Sequence, residues 1–324
     1  MRGSQHQCLV ARILTVPDYV VKSMQTDSDL TGPFEARYLA FLETVSQIRP
    51  RLHRYCARMT GSVLDGEDIV QDALFEAYRK LDQFDDTRPL SPWLFRIAHN
   101  RCIDFLRHRR AGREAVASLV ASEVTMPTEP AILGIGKAVE HLVLTLPPKE
   151  RACVLLKDVF DYTLEEIAEL VESTVGGVKA ALKRGRSKLA ASPGHVKLPR
   201  EADPDLARVL NLYVERFNNR DWNSLRELIS ADARLIVTDA FAGKLADAPY
   251  FRNYERWSMP WRMAAGEVDG ESVVIILQRG ADTWTPYSMV RLDVTENRID
   301  SIVDYAHCPW VIEAAASVTV SVRA

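Results

Sequence analysis

The segment TLEEIAELVESTVGGVKAALKRGRSKL, Thr163 to Leu189, sorts its charges by sign. Glu165, Glu166, Glu169 and Glu172 come first, and Lys179, Lys183, Arg184, Arg186 and Lys188 follow. Cations gathered within a few helical turns suit nucleic-acid phosphates, from which they release counterions on binding. A second cationic run, WLFRIAHNRCIDFLRHRRAGR, has arginines at 96, 101, 107, 109, 110 and 113, with His99, His108 and Asn100, against Asp104. Trp93, Phe95 and Phe105 interleave with these cations. Cations that track phosphates and rings that stack on bases suit single-stranded nucleic acid. The same rings lie at helical spacing and would equally serve a helix core. The preceding stretch, DGEDIVQDALFEAYRKLDQFDD, is acidic at Asp65, Glu67, Asp68, Asp72, Glu76, Asp82, Asp85 and Asp86. A helix so rich in carboxylates repels DNA and suits a protein partner. Asp68, Gln71 and Asp72 lie about one turn apart and share a face.

The elements that position these residues follow from periodicity. Ile69, Ala73, Ala77 and Leu81 recur at four-residue spacing, flanked by Val70, Leu74 and Tyr78, which predicts an amphipathic helix. The turn-rich DDTRPLSP separates it from a helix over Trp93 to Arg107, with Leu94, Ile97, Ala98, Cys102, Ile103 and Leu106 on or beside one face. Thr163 followed by Glu166 predicts a capping box. Ile167, Ala168 and Leu170 supply the buried face, a turn lies near Glu172-Ser173, and Ser173 or Thr174 caps the next helix. This is a helix-turn-helix pattern, whose second helix enters the major groove. A solvated helical hairpin with charges that suit the helix dipoles is the other reading.

Composition narrows the class. The 324 residues suffice for two or three domains, and 47% are apolar, enough for ordinary cores. The formal net charge of -3 requires any nucleic-acid surface to be local. Cys8, Cys56, Cys102, Cys153 and Cys308 are far apart, with no C-x-x-C pair, so reduced thiols are expected, without a metal site. No apolar run approaches the roughly 20 residues of a membrane span. The N-terminal stretch lacks the apolar core of a signal peptide, and Met24 is an alternative start.

DGEDIVQDALFEAYRKL with WLFRIAHNRCIDFLRHRR resembles region two of bacterial sigma-70-type factors, and LTLPPKERACVLLKDVFDYTLEEIAELVESTVGGVKAALKRGRSKL resembles region four. With no region-three domain between them, the chain from Phe34 to Ala190 is similar to the extracytoplasmic-function group. The resemblance implies a role for each motif. Asp68, Gln71 and Asp72 match the D-x-x-Q-[DE] pattern that grips the clamp helices of the polymerase β′ subunit. Arg96, Asn100, Arg101 and Arg107 match the helix that holds the melted −10 strand, and Phe84 to Ser91 the loop that cups a flipped base. Lys179, Lys183, Arg184 and Arg186 match the helix that reads the −35 element. Many relatives have Ser-Arg where this chain has Ala180-Ala181, which can touch only thymine methyls.

The last third opens with helices over Leu206–Asn219 and Trp222–Ile229. It then turns strand-like in VVIILQR, YSMVRLDVT and RIDSIVDY, between turn signals at Asp269-Gly270, Gly280 and Glu296-Asn297. Its element order, with LNLYVERFNNRDWNSLRELISADA, resembles the SnoaL-like cone fold. Enzymes of that fold use a pocket Asp or His as general acid or base. Asp239, Asp304, Tyr305 and His307 are the pocket candidates, although such residues near a final strand also serve structure. Trp257, Trp261, Trp284 and Trp310 are expected in the core or the pocket.

The expected fold is multidomain: two all-α domains, the second with a helix-turn-helix, and an α+β SnoaL-like domain. Expected bounds are a tail 1–33, region two 34–112, a linker 113–136, region four 137–191, a linker 192–204, the SnoaL-like domain 205–316 and a tail 317–324. The expected function is that of a cytoplasmic alternative sigma factor. It binds core RNA polymerase (β′ clamp helices, β flap) and −10 and −35 promoter DNA, with no catalysis, cofactor, metal or membrane contact. The C-terminal domain is expected to regulate activity, and the sequence does not say whether an anti-sigma factor exists. Two alternatives stand beside this: a helix-turn-helix regulator, which leaves EDIVQDALFEAYRKL without a role, and a small-molecule enzyme with a DNA-binding appendage.

Overall fold

The computed structural model describes residues 33–85, 87–120, 137–191, 203–238, 240–280 and 283–321. The described residues divide into two units, one over 33–191 and one over 203–321.

The first unit is helical. Helices α1 (Pro33–Thr60), α2 (Val63–Arg79) and α3 (Leu90–Val120) pack against one another. Phe41, Val45, Leu52 and Met59 of α1 meet Val70, Ala73, Leu74 and Ala77 of α2 and Leu94, Phe95, Ala98 and Cys102 of α3 in the core. Side chains at i, i+3 and i+4 lie on one helix face, so the apolar stripe of α2 turns inward as its spacing predicts. Ser62 caps α2, its hydroxyl accepting from the Asp65 N–H at 3.1 Å. A Cβ on Gly66 would lie 2.6 Å from the Ala57 backbone nitrogen, so only glycine permits this approach of α1 and α2. Helix α3 is longer than its periodicity predicts: it starts at Leu90, with Pro92 in the first turn where no N–H is needed, and continues to Val120. The stretch 113–120, expected as linker, is therefore helical.

Four further helices follow: α4 (Lys137–Thr145), α5 (Pro148–Val154), α6 (Leu164–Leu170) and α7 (Val175–Ala191), with a π turn at Leu155–Val159. The capping box at α6 is formed: the Glu166 N–H donates to the Thr163 hydroxyl at 3.2 Å, and the Thr163 N–H donates to the Glu166 carboxylate at 2.7 Å. Glu172 takes a φ of 49° in the tight turn, and the Thr174 hydroxyl accepts from the Gly177 N–H at 3.0 Å. Ile167, Ala168 and Leu170 of α6 and Val178, Ala181 and Leu182 of α7 are buried.

The second unit is α+β. Helices α8 (Pro204–Asn218), α9 (Trp222–Glu227), α10 (Tyr250–Glu255) and α11 (Pro309–Glu313) accompany a seven-stranded mixed sheet. The strands are β1 (Ile229–Val237), β2 (Phe241–Lys244), β3 (Trp261–Val268), β4 (Glu271–Arg279), β5 (Trp284–Thr295), β6 (Arg298–Asp304) and β7 (Val318–Val320). Their order is β2-β1-β6-β5-β4-β3-β7, with β1 and β6 parallel and the other neighbours antiparallel. Asp269-Gly270 and Glu296-Asn297 have positive φ at both positions, as tight hairpin turns require. Helix α8 packs on β3, β4 and β5, burying Val209, Leu210, Tyr213 and Phe217. Periodicity did not reveal β1, β2, β3 or β7. Ile229, expected at a helix end, opens β1, and the expected tail carries β7. Strand β7 pairs with β3 beside Gly266, where a Cβ would lie 2.3 Å from the Thr319 carbonyl oxygen.

Candidate nucleic-acid interface

Helix α2 turns Asp68 and Asp72 outward and leaves Gln71 half-buried, so the three residues occupy one accessible side. Phe75 and Arg79 continue that exposed stripe, at steps of three and four residues.

On α3, Asn100 and Arg107 are exposed and Arg96 and Arg101 half-buried. Arg101 donates from Nε to Glu76 of α2 at 2.6 Å, and Lys80 donates to the other Glu76 oxygen at 2.5 Å. Burial raises the Glu76 pKa, but these bonds outweigh it and hold the carboxyl below its usual range. Arg107 pairs with Asp104 at 3.2 Å and Arg109 with Asp65 at 3.5 Å. His99, counted with the cations in the sequence, is buried: its Nδ1 lies 2.7 Å from the Tyr55 hydroxyl, and burial lowers its pKa to about 4. It is therefore neutral at neutral pH and no part of a cationic surface. Phe95 is fully buried, whereas Trp93 and Phe105 are half-exposed, so Phe95 serves the core. Trp93 meets Phe84 with centroids 4.7 Å apart, beside the loop Phe84 to Ser91, in which Asp86 lies outside the described residues.

In the helix-turn-helix, Lys179, Lys183, Arg184 and Arg186 are all exposed on α7. Arg184 donates to Glu150 at 2.9 Å and Lys188 to its other oxygen at 2.8 Å, while Arg186 forks onto Asp158 at 2.5 and 3.2 Å. These are tethers that a phosphate must compete with; Lys179 and Lys183 point outward beside them. Ala180 is exposed but Ala181 is fully buried, so of the pair only Ala180 is presented outward.

The two helical halves pack together. Arg151, 5% exposed, donates to the carbonyl oxygens of Met59 on α1, Val143 and Leu146. Burial lowers its pKa to about 10, which leaves it charged at neutral pH. Phe95 lies against Phe160 and Tyr162, with centroids 6.4 and 5.7 Å apart. Helix α6 stands opposite the cations of α3. Glu166, Glu169 and Tyr162 line a cleft of about 550 Å³ with Phe84, Arg88, Trp93 and Arg96. Glu172 lines a second, about 510 Å³, with Arg96, Asn100 and Arg101.

In the α+β unit, Asp304 is fully buried and accepts from the hydroxyls of Tyr250 at 2.8 Å and Tyr254 at 2.6 Å, both on α10. The Ala306 N–H donates to its other oxygen at 2.7 Å, and the Tyr213 hydroxyl lies 3.4 Å from that of Tyr250. Burial raises the Asp304 pKa, against the lowering effect of these bonds. Of the other described pocket candidates, His307 acts on Asp304 through its charge, which lowers the carboxyl pKa. Tyr305 is the next residue after the strand and is buried elsewhere, beside a chain turn where Ser288 donates to its carbonyl at 2.5 Å. His307 is exposed, and Asp239 lies outside the described residues. The sequence reading missed the tyrosines, although Tyr250 and Tyr254 stand at i and i+4, the spacing of one helix face. Trp257 and Trp261 pack half-buried against the core.

Among the described residues no cluster of His, Cys, Asp or Glu is arranged to hold a metal, and no helix is long and apolar enough to cross a membrane.

Comparison with known proteins bears directly on the helical unit. Residues 44–112 match the family model of Sigma-70 region 2, and residues 136–189 that of Sigma-70, region 4. The chain is 33% identical over 162 residues to the ECF RNA polymerase sigma factor SigW of Bacillus subtilis, covering 46% of this chain and 87% of that one. Identity to SigG of Mycobacterium tuberculosis, another ECF RNA polymerase sigma factor, is 26% over 307 residues, covering 84% of this chain and 83% of SigG. A crystal structure of the Mycobacterium tuberculosis extracytoplasmic function sigma factor SigJ aligns over 81% of this chain and 95% of its own, at 16% identity and a TM-score of 0.33. With both sigma regions in order and most of SigW covered, the chain belongs to the extracytoplasmic-function family of RNA polymerase sigma factors.

Proposed function

We propose that the protein binds core RNA polymerase through Asp68, Gln71 and Asp72 of α2 and directs it to promoters. In this reading Arg96, Asn100, Arg101 and Arg107 hold the melted −10 strand, and Lys179, Lys183, Arg184 and Arg186 contact the −35 element. The protein does no covalent chemistry itself and works in the cytoplasm, where polymerase and chromosome are. The observation that carries this reading is the division of labour within one helical unit: an exposed acidic side on α2, an exposed polar and cationic side on α3, and a capped helix-turn-helix. Acid suits a protein partner, and the two cationic helices suit DNA.

The α+β unit is proposed to regulate this activity. Its buried Asp304 is held by three hydrogen bonds from its own domain, which favours a structural role for that carboxyl over acid–base chemistry. Run-off transcription with core polymerase on genomic fragments, with and without the residues after Pro193, tests both parts. Promoter-specific transcripts from the full chain support the sigma reading, and their absence with active core overturns it. A changed yield on truncation supports regulation, and identical yields defeat it.

A further inference from the structure

A smaller groove lies at the C-terminal end of α2, outside the residues assigned above to the −10 strand save Arg101. Phe75, Arg79, Lys80 and Gln83 line it with Glu76 and Arg101, around a volume of about 330 Å³. Three of these six side chains are cations. Glu76 is the one carboxylate among them, and both its oxygens already accept, one from Lys80 at 2.5 Å and one from Arg101 at 2.6 Å. The negative end of the α2 dipole also points here, and Arg79 and Lys80 offset it. Phe75 is 40% exposed, so its ring is presented outward.

This groove adjoins the larger cleft that holds Trp93, Arg96 and Asn100. The two share Glu76, Lys80 and Arg101 as a common wall. A track therefore runs from the Trp93 ring past Arg96 and Asn100, over Arg101 and Lys80, to Arg79 and the Phe75 ring. In the larger cleft Glu76, Asp104 and Glu172 balance the cations; in the smaller one only Glu76 does. Rings at either end of a row of cations suit a flexible polyanion with flat bases, because phosphates pair with the cations and bases stack on the rings.

We propose that the groove of Phe75, Arg79, Lys80 and Gln83 binds single-stranded DNA, extending the strand-holding surface of α3 around the end of α2. Arg79 and Lys80 contact phosphate, and Phe75 stacks on a base. This rests on the reading of α3 as the surface that holds the melted strand.

The test uses full-length protein saturating core RNA polymerase, with core alone as baseline. Fluorescence anisotropy follows a labelled oligo(dT) of roughly 20 nucleotides, longer than one typical single-strand site, and an abasic oligomer of the same length, across a range of salt. Arg79→Ala with Lys80→Ala lowers the slope of log affinity against log salt by about 1.4, two phosphates at about 0.7 each. The charge-preserving pair Arg79→Lys with Lys80→Arg keeps the slope. Phe75→Ala weakens oligo(dT) binding at least about fivefold and leaves the abasic oligomer unchanged, because only a base can stack. Arg96→Ala serves as the control for the underlying reading. If Arg96→Ala lowers the slope and the Arg79/Lys80 double substitution does not, the groove is off the strand path and the inference fails alone. If neither lowers it, the reading of α3 fails with it. If the double substitution instead abolishes co-elution with core, the groove is a polymerase contact and the proposal is overturned.

Discussion

Tyr55 of α1 and Phe160, just past the π turn, meet edge to face with ring centroids 5.9 Å apart at 77°. Tyr55 is fully buried and also bonds His99 of α3. One side chain therefore joins region two internally and ties it to region four. The arrangement gives the sorted charges of residues 163–189 a physical reading. The bases of α7 face outward, while Glu166, Glu169 and Glu172 line the clefts that hold Arg88, Arg96 and Arg101.

Loosening that contact is expected to uncover α3. Phe160→Ala removes two ring pairs, with Tyr55 and Phe95, each contributing about 0.5–1.5 kcal/mol beyond its buried area. Amide hydrogen exchange around Tyr55 and acrylamide quenching of Trp93 should both rise, and single-stranded DNA should bind more tightly. Unchanged exchange and quenching would show that the aromatic contact does not hold the two halves together.

The acidic side of α2 gives a binding prediction. Asp68→Arg with Asp72→Arg should abolish co-elution with core polymerase. Exposed substitutions usually shift stability by no more than about 0.5 kcal/mol, so the urea midpoint should barely move. Normal co-elution of the double variant sinks the assignment.

The two DNA surfaces separate by what they touch. Lys183→Ala should weaken promoter duplex binding and lower the salt slope by about 0.9, the share of one phosphate on duplex DNA. Asn100→Ala should leave duplex binding nearly intact and impair strand opening, since its amide acts on unpaired bases. Permanganate footprinting that shows full opening with Asn100→Ala contradicts this.

His99 makes the helical unit sensitive to acid. Its pKa falls from 6.5 unfolded to about 4 folded, through burial, so the unfolded chain binds more protons between those values. Its contribution is complete above about pH 6.5 and is lost as pH falls toward 4, by up to about 3 kcal/mol. Burial also lowers the pKa of His53, in the same direction, so part of the dependence should remain without His99. Urea titrations from pH 7 to 4 should show a flatter decline for His99→Asn, which keeps an acceptor for the Tyr55 hydroxyl. Identical pH slopes for both proteins would refute it.

Asp304 has the opposite sign. Burial raises its folded pKa above the unfolded value, so the α+β unit loses stability as pH rises through that interval. Tyr250→Phe with Tyr254→Phe removes two hydrogen bonds to the carboxyl, each contributing about 1.5–3 kcal/mol. The unfolding transition of this unit should fall and its loss of stability with rising pH should steepen. A calorimetric profile unchanged by the double variant would mean that the carboxyl does not depend on these phenols.

Much of this protein is local, and local features were legible in its residues. The Thr163–Glu166 box, the inward stripe of α2 and the turns at Asp269-Gly270 and Glu296-Asn297 depend on neighbours a few positions away, so spacing alone determined them. The residues of each candidate interface were named by the resemblance to sigma-70 regions two and four, and helical spacing added that Asp68, Gln71 and Asp72 share a face. Tertiary structure decided what distant partners control. His99 reads as a cation until Tyr55, 44 positions earlier, buries it, and Asp304 reads as a pocket acid until Tyr250 and Tyr254 close over it. Strand β7 is three residues long, too short for any periodic signal, and exists because β3 offers it a ladder beside Gly266. The acidic face of α6 was visible as a pattern, but only long-range packing could place it opposite the cations of α3, since burial and charge pairing are set by the folded neighbours and not by the residue itself.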